Sequence, residues 1–583
     1  MQKKLSDIGV TLAAGGIIVL LILPFLTRQT LTTGVIRQQS KTEFQGKLLN
    51  EALKPIVGKS ISTVGLQLEL GPALNYVNHY MVKTYGISDA TLQALTDEGM
   101  KAPLNQAKID ELISGPESDV KKHQFATYGS WIYNRNYQNR SDLVNDLTMV
   151  RNNINTYEIV PGYGLDKYAM KNIRYMLARH SVTGPVSTSP WLLMMLSFGV
   201  CILGALMLFF AQSMEPPGIK NNGAFQHPAR SRKWLGIFIG TLLILFYIIL
   251  YFYPQYMVSW IALVDPLSFW LKGSEAGQFF LYGFLYTLSV LVMGVRMLVR
   301  YRHNRYQKVR TASVMFFQTI FAFLLPEILV RLNKPYFDFK NIWPLHYDFF
   351  FDFNLNNLIE HGTLGIFMLV WGIGLSFIAV PLLTYFYGKR WYCSWVCGCG
   401  GLAETLGDPF RHLSDKSIRA WRIERVSIYS VLVFAVVMTA GVLYTFFTGS
   451  STLLGINSYT VREIYGGFIG AGFAGVVGTG FYPFLGNRTW CRFGCPLAAY
   501  LGIVQRFKSR FRITTNGGQC ISCGNCSTYC EMGIDVRSYA QKGENIVRAS
   551  CVGCGICAAV CPRGVLKLEN SSEQRFHPNG FIQ

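Results

Sequence analysis

"CVGCGICAAVCP", residues 551–562, sets four cysteines in the spacing C-x2-C-x2-C-x3-C, and "CISCGNCSTYC", residues 520–530, has the same spacing just upstream. Short C-x2-C-x2-C loops wrap three thiolates around a cubane iron–sulfur cluster, and the fourth ligand comes from the neighbouring run. The pattern therefore predicts two 4Fe–4S clusters. One would sit on Cys520, Cys523, Cys526 and Cys561, the other on Cys551, Cys554, Cys557 and Cys530. Glycines at 524, 553 and 555 let the backbone turn tightly. Pro562 ends the second run in the usual way, whereas Cys530 is followed by Glu531. Structural zinc sites call for separated C-x2-C knuckles, often with histidine. No histidine occurs between Cys520 and Cys561.

Upstream, "GKRWYCSWVC" (388–397) aligns with "GNRTWCRFGC" (486–495) as G-x-R-x-aromatic-C-x3-C. Each copy follows an apolar run, and a repeated unit of this kind is more specific than either copy alone. Residues four apart share a helix face, so Cys393 can join Cys397, and Cys491 can join Cys495. Side by side, the pairs would make a four-thiolate site for a third iron–sulfur or other metal centre. Arg390 and Arg488, three residues ahead of each pair, would offset thiolate charge. Cys399 does not fit that face. Gly398, Gly400 and Gly401 suggest that the helix has ended, leaving Cys399 on a flexible loop as an alternative ligand.

The rest of the chain is apolar: 50% of its residues are hydrophobic and only 15% charged, against about a quarter in soluble proteins. Runs long enough to cross ~30 Å of hydrocarbon fall at 8–26, 191–211, 234–253, 278–299, 312–330, 364–387, 426–447 and 466–485. No small-residue cleavage site follows the first, so residues 1–27 read as an anchor and not a signal peptide. The loops at 296–310 and 488–512 are basic and free of acids, while 254–277 and 332–363 lean acidic. The positive-inside rule then places both termini in the cytoplasm after eight crossings. The net charge of +21 belongs to those loops, which argues against nucleic-acid binding. Thirteen of the 14 cysteines lie between Cys393 and Cys561, a distribution of reduced metal-binding thiolates and not of a secreted disulfide scaffold.

The expected fold is a polytopic α-helical membrane protein with a mainly α extracytoplasmic domain and a C-terminal α+β two-cluster ferredoxin domain. Its parts are the anchor at 1–27, an extracytoplasmic domain at 28–190 and crossings two to five at 191–362. Crossings six to eight with the duplicated motif follow at 363–512, then the ferredoxin domain at 513–569 and a tail at 570–583. In the outer segment, "SDATLQALTDEGM" (88–100) and "SDLVNDLTMVRNNINTY" (141–157) read as helices capped by Ser or Asp. Its isolated His79, His123 and His180 give no metal or haem site. Glu327 and Arg331 could pair at the outer end of the fifth crossing. Seven glycines from Gly466 to Gly480 would allow close helix packing or give a flat cofactor room.

The C-terminal runs look like a bacterial two-cluster ferredoxin. Together with the membrane motifs, over about residues 364–565, they resemble the membrane polyferredoxins of the NapH, NosR and CcoG/RdxA type. Cys495-Pro496 keeps that family's C-x3-C-P pattern; Cys397-Gly398-Cys399 does not, and no S-G-A-T flavin-attachment sequence occurs in 28–190, which excludes the NosR subgroup. The resemblance implies a bacterial inner-membrane protein with its ferredoxin domain in the cytoplasm. It would relay electrons between the quinone pool, or a cytoplasmic donor, and a respiratory redox complex. Such a chain is an oxidoreductase only as a quinol dehydrogenase-like component of that complex. Two other classes fit the residues: a copper-reducing assembly factor for an oxidase, and a redox sensor with an outer domain. There is no C-x-x-C-H haem motif, and His361 has no evident axial partner. Crossing the hydrocarbon thus calls for a quinone or for a partner subunit carrying haem, copper or another redox group.

Overall fold

The computed structural model describes residues 2–114, 117–159, 162–214, 232–449, 452–453 and 455–570. Beyond Asn570 the expected tail lies outside them. Backbone contacts divide the chain into two compact units: Met1–Leu20 with Met194–Tyr253 and Val264–Gln583, and Leu21–Leu193 with Pro254–Leu263.

The smaller unit is mainly helical. Helices Thr63–Tyr85 and Lys167–His180 bury Leu66, Leu70, Leu74, Ile173 and Leu177, every third or fourth residue, against each other. Strands Ser60–Ile61, Arg28–Thr30 and Val182–Thr183 form a small antiparallel sheet in that order. Ser88 caps helix Asp89–Gly99 as expected, its Oγ accepting from Thr91 N at 3.2 Å. The second expected cap differs. Helix Arg140–Asn153 starts one residue before Ser141, and Asn139 at its N-cap makes no side-chain bond.

Seven helices are long and apolar enough to cross a membrane among the described residues: Gln2–Leu26, Pro190–Ser213, Trp234–Phe252, Gln278–Arg300, Arg305–Arg331, Gly362–Tyr387 and Ile418–Thr448. Trp234, Phe238, Ile378 and Val437 point outward and exposed, as lipid-facing residues do. Seven of the eight runs expected from sequence are thus found. The eighth is helical over Gly466–Val477 and Gly478–Gly480, but its glycines dilute its hydropathy and it is not among the seven. Those glycines serve close packing. A Cβ at Gly475 would come within 2.5 Å of the Tyr251 ring, and one at Gly480 within 2.6 Å of Ile244. The Glu327–Arg331 pair does not form among the described residues, because Arg331 Nη1 donates to Trp270 O at 2.5 Å.

Residues 334–351 form neither helix nor strand, yet they pack deeply. Trp343 donates from its backbone N to Ser376 Oγ (3.1 Å) and from Nε1 to Thr439 Oγ1 (3.0 Å), so it touches two membrane helices at once. At the C-terminus, strands Phe511–Thr515 and Leu566–Asn570 pair antiparallel with Ile513 opposite Leu568, closing a domain of short helices.

Candidate metal centres

Two small cavities open inside the C-terminal domain. One is lined by Cys520, Cys523, Cys526 and Cys561, the other by Cys530, Cys551, Cys554 and Cys557. These are the two crossed ligand sets expected from spacing. Gly553 (φ +62°) turns the second loop where a Cβ would strike Arg390 Cβ at 2.5 Å. Ser522 also takes a left-handed φ of +57°, a requirement that no glycine announces in the sequence.

The donor set suits a sulfur-ligated cluster. Burial pushes the thiols of Cys526 and Cys551 up to about 11, and it holds Cys554 and Cys557 well above the ordinary thiol range. Buried thiols of this kind become thiolates by giving their protons up to a bound metal.

The duplicated motif folds into two matching elbows. In the first, a one-turn helix Arg390–Cys393 stops, and helix Gly398–Thr405 begins directly after Cys397. In the second, helix Thr489–Phe493 stops and Pro496–Lys508 begins after Cys495. Cys397 N donates to Tyr392 O (2.8 Å) and Cys495 N to Trp490 O (3.0 Å), one turn closed in the same way in both copies. The spacing of four therefore does not lie on one continuous helix face; each C-x3-C pair spans a break. The second cysteine of each pair holds the N-cap position of a new helix, and Cys495 Sγ accepts from Ala498 N at 3.4 Å. Pro496 and Gly398 hold the same first helical position, where proline is favoured, so the departure at Gly398 preserves the elbow.

All four thiols are buried in one cluster, and Cys495 lies within electrostatic reach of Cys491, Cys397 and Cys393. Cys399 is not on a flexible loop. It sits in the first turn of Gly398–Thr405 and gives a hydrogen bond to Cys397, which holds Cys397 below the usual thiol range. The adjoining glycines are there for space: a Cβ on Gly400 would stand 2.0 Å from Cys393 O, and one on Gly401 2.5 Å from Val314 Cγ1. Of the two expected arginines, Arg488 fills its role, with Nη1 3.7 Å from Cys491 Sγ and 3.2 Å from Cys393 O. Arg390 instead lies over the Phe511 ring (4.7 Å), and the buried Lys389 ammonium supplies positive charge near Cys393.

Between the elbows and the C-terminal domain runs a charge network that the sequence does not reveal. Buried Glu404 pairs with Arg310 (2.5 Å), Arg411 (2.7 Å) and Arg488 (2.6 Å). Glu531 pairs with Arg411 (2.5 Å) and Arg488 (3.1 Å), and Asn487 Nδ2 donates to it at 3.1 Å. Asp408 binds Arg296 (2.9 Å), Arg300 (2.7 Å) and Arg411 (3.3 Å). Burial would raise Asp408 and Glu404, but the arginines win and hold both below the ordinary carboxylate range. A ligand atom of Glu404, one of Glu531 and Cys554 Sγ lie within 4.8 Å of each other, so the network reaches the second cysteine cage. Glu531, the residue replacing proline after Cys530, was the one visible signal.

Side chains from the membrane part also seat the loop at 551–555. Ser394 Oγ donates to Val552 O (2.6 Å), Tyr306 OH to Gly553 O (2.8 Å), Gln307 Nε2 to Cys554 O (2.8 Å) and Gln505 Nε2 to Cys551 O (2.9 Å). Ser394 lies between Cys393 and Cys397, so the elbow and the second cage share a wall. Cys523 of the first cage is exposed.

Comparison with known proteins agrees with both levels of this arrangement. The 4Fe-4S dicluster domain family matches residues 519–566, and the 4Fe-4S binding domain family matches twice, at 369–417 and 467–514, once for each elbow. The chain is 29% identical over 193 residues to the putative electron transport protein YccM of Escherichia coli K12, covering 29% of this chain and 47% of that protein. It is 26% identical over 172 residues to the methylamine utilization ferredoxin-type protein MauN of Methylorubrum extorquens, covering 27% of this chain and 54% of that protein. The chain thus spans about half the length of the curated relatives it matches. No solved structure matches it. With paired cysteine elbows at membrane helices and a dicluster domain seated on them, the chain carries 4Fe-4S ferredoxin-type domains and is similar, over part of its length, to ferredoxin-type electron-transport proteins.

Proposed function

We propose that the chain relays electrons between the quinone pool and a partner redox complex, with its iron–sulfur centres at one face of the bacterial inner membrane. The observation that carries this reading is the shared wall: the loop of one cysteine cage rests on Ser394, inside the first elbow. In this reading Cys520, Cys523, Cys526 and Cys561 hold one 4Fe–4S cluster, and Cys530, Cys551, Cys554 and Cys557 hold the other. Cys393, Cys397, Cys491 and Cys495 hold a third centre, with Cys399 as a hydrogen-bond donor to Cys397. Bound clusters supply one-electron carriers. The protein's own residues hold them dry, offset their negative charge through Arg488 and Lys389, and fix their spacing through the Glu404–Glu531 network.

Basic loops at 296–310 and 488–512 favour a cytoplasmic ferredoxin domain. A helix over the glycine-rich 466–480 stretch as an eighth crossing would put both termini on that side, and the segment at 28–190 would then be extracytoplasmic. A partner on either face would supply the remaining carrier.

Anaerobic iron and sulfide analysis with EPR, on the wild type and on Cys393→Ser and Cys491→Ser, tests the ligand sets. Two cubanes give about eight irons per chain and three give about twelve. The expected result is an excess over eight that disappears in both variants. Iron unchanged by either substitution would remove the third centre.

A further inference from the structure

Helix Gly362–Tyr387 meets the C-terminal domain at its Tyr387 end, where Arg510 N donates to Tyr385 O at 2.7 Å, so Gly362 marks the opposite end of the bundle. The irregular segment 334–351 enters from that opposite end and goes far in. Trp371 Nε1 donates to Phe339 O (2.9 Å), a Cβ at Gly372 would collide with the Phe349 ring (2.3 Å), and Trp343 N reaches Ser376 Oγ. At about 1.5 Å per residue these contacts stand about 14, 15 and 21 Å from Gly362. On Ile418–Thr448, Trp343 bonds Thr439, also about 14 Å from the Thr448 end. The loop continues to the cysteine elbow itself, because Tyr392 OH donates to Lys340 O at 2.9 Å.

Irregular backbone at such depth survives only where protein buries it or where it lines a wet cavity. Both hold here. Ile342, Phe349 and Phe351 are buried, and a cavity of about 270 Å³ is lined by Phe337, Asp338, Asn341, His346, Asp348 and Phe349 among others. Ionisable groups at membrane depth mark functional sites by default. His346 Nε2 lies 3.1 Å from Asp348 Oδ1, while its Nδ1 is buried with no hydrogen-bond partner in the protein. Asp338 is already paired with Lys340 at 2.8 Å. With both carboxylates engaged, the cavity suits a neutral ligand better than a cation: aromatic walls for a ring, an unpartnered imidazole nitrogen and an amide for its oxygens.

We propose that residues 335–351 form a re-entrant loop whose cavity binds the headgroup of a hydroquinone or quinone, entering from the end of the bundle away from the ferredoxin domain. The ring packs against Phe337 and Phe349. A ring hydroxyl donates to His346, which Asp348 orients, and Asn341 bonds the ring's other oxygen. The proposal rests on the reading of the chain as a relay in contact with the quinone pool, and it places that contact opposite the ferredoxin domain.

Fluorescence quenching of a hydroxyquinoline N-oxide, a hydroquinone mimic, on the detergent-solubilised full chain tests the site. Saturable quenching is expected in the wild type, weakened at least tenfold in His346→Leu and Asp348→Asn. Arg425→Gln combined with Arg506→Gln alters the other large cavity, beside Lys389 and Glu424, and should leave binding unchanged. Asn341→Leu spares the His–Asp pair and decides the matter if the other variants fail to assemble. Absence of quenching in the wild type, wild-type affinity in His346→Leu or in Asn341→Leu, or loss on the double arginine change would each overturn the site. Iron content and EPR on the same samples keep the two readings apart. Intact clusters without probe binding remove this site and leave the relay; missing clusters remove the relay, while the probe still reports on the cavity.

Discussion

Glu531 occupies the position after Cys530 where the matching run has Pro562, and its carboxylate accepts from Arg411 and Asn487 and forms an ion pair with Arg488 while almost fully buried. Removing one partner of a buried ionic network costs about 3–5 kcal/mol, because the charges left behind stay unpaired in a dry site. Glu531→Ala should therefore destabilise the chain by that order, and Glu531→Gln, which keeps an acceptor oxygen, by clearly less. Chemical unfolding of the solubilised protein followed by tryptophan fluorescence gives the ranking; equal losses in the two variants would speak against a charge role. At this scale the grouping of the eight ferredoxin cysteines around two cavities was legible, because three of each four lie within one short run. The partners of Glu531 were not. Arg411 is 120 positions away and Arg488 forty-three, and nothing in their neighbourhoods distinguishes them from loop cations that set membrane topology.

Each C-x3-C elbow shows how an element can be misread from correct periodicity. Four residues make one helical turn, but Gly398 and Pro496 start new helices, and the breaks at 394–397 and 494–495 end the old ones. The glycines after Cys397 suggested looseness. They are instead among the tightest contacts in the fold, and the sequence held no sign of what would lie against them. Gly400→Ala pushes a methyl onto Cys393 O, which overpacking at about 1–3 kcal/mol or more does not relieve without moving the cysteine. The expected result is lost stability and lost signal from any centre on Cys393. Gly374→Ala is the matched control. Its Cβ meets nothing within 4 Å in the middle of helix Gly362–Tyr387, so stability should hold or rise slightly, by up to about 1 kcal/mol. Thermal unfolding of both variants side by side makes the comparison, and a Gly400→Ala protein as stable as Gly374→Ala would contradict the packing argument.

Across the larger unit, the seating of loop 551–555 joins the ferredoxin domain to the membrane helices through four side-chain bonds to its carbonyls. Each is worth about 1 kcal/mol net, so Tyr306→Phe with Gln307→Ala should loosen the loop without unfolding the helices. Faster amide exchange confined to 551–557, with exchange in Phe511–Thr515 unchanged, is the expected pattern; no change in the loop would mean that other contacts hold it. The long apolar helices were readable from hydropathy alone, since lipid selects for length and composition. The irregular 334–351 stretch lies within 332–363, which reads as an outer loop from its acidic balance alone, and only three-dimensional packing reveals where it goes.

The paired elbows have a further consequence. Two copies of one unit, each bringing two of four neighbouring thiols, amount to the arrangement of a symmetric dimer written into a single polypeptide. A true homodimer must keep both halves identical, whereas a covalent pair is free to diverge. Here one half has Pro496 and an arginine beside its thiols, while the other has Gly398 and Cys399 and lays its own arginine over an aromatic ring. The two halves are therefore chemically unlike, a polarity that a symmetric homodimer cannot have.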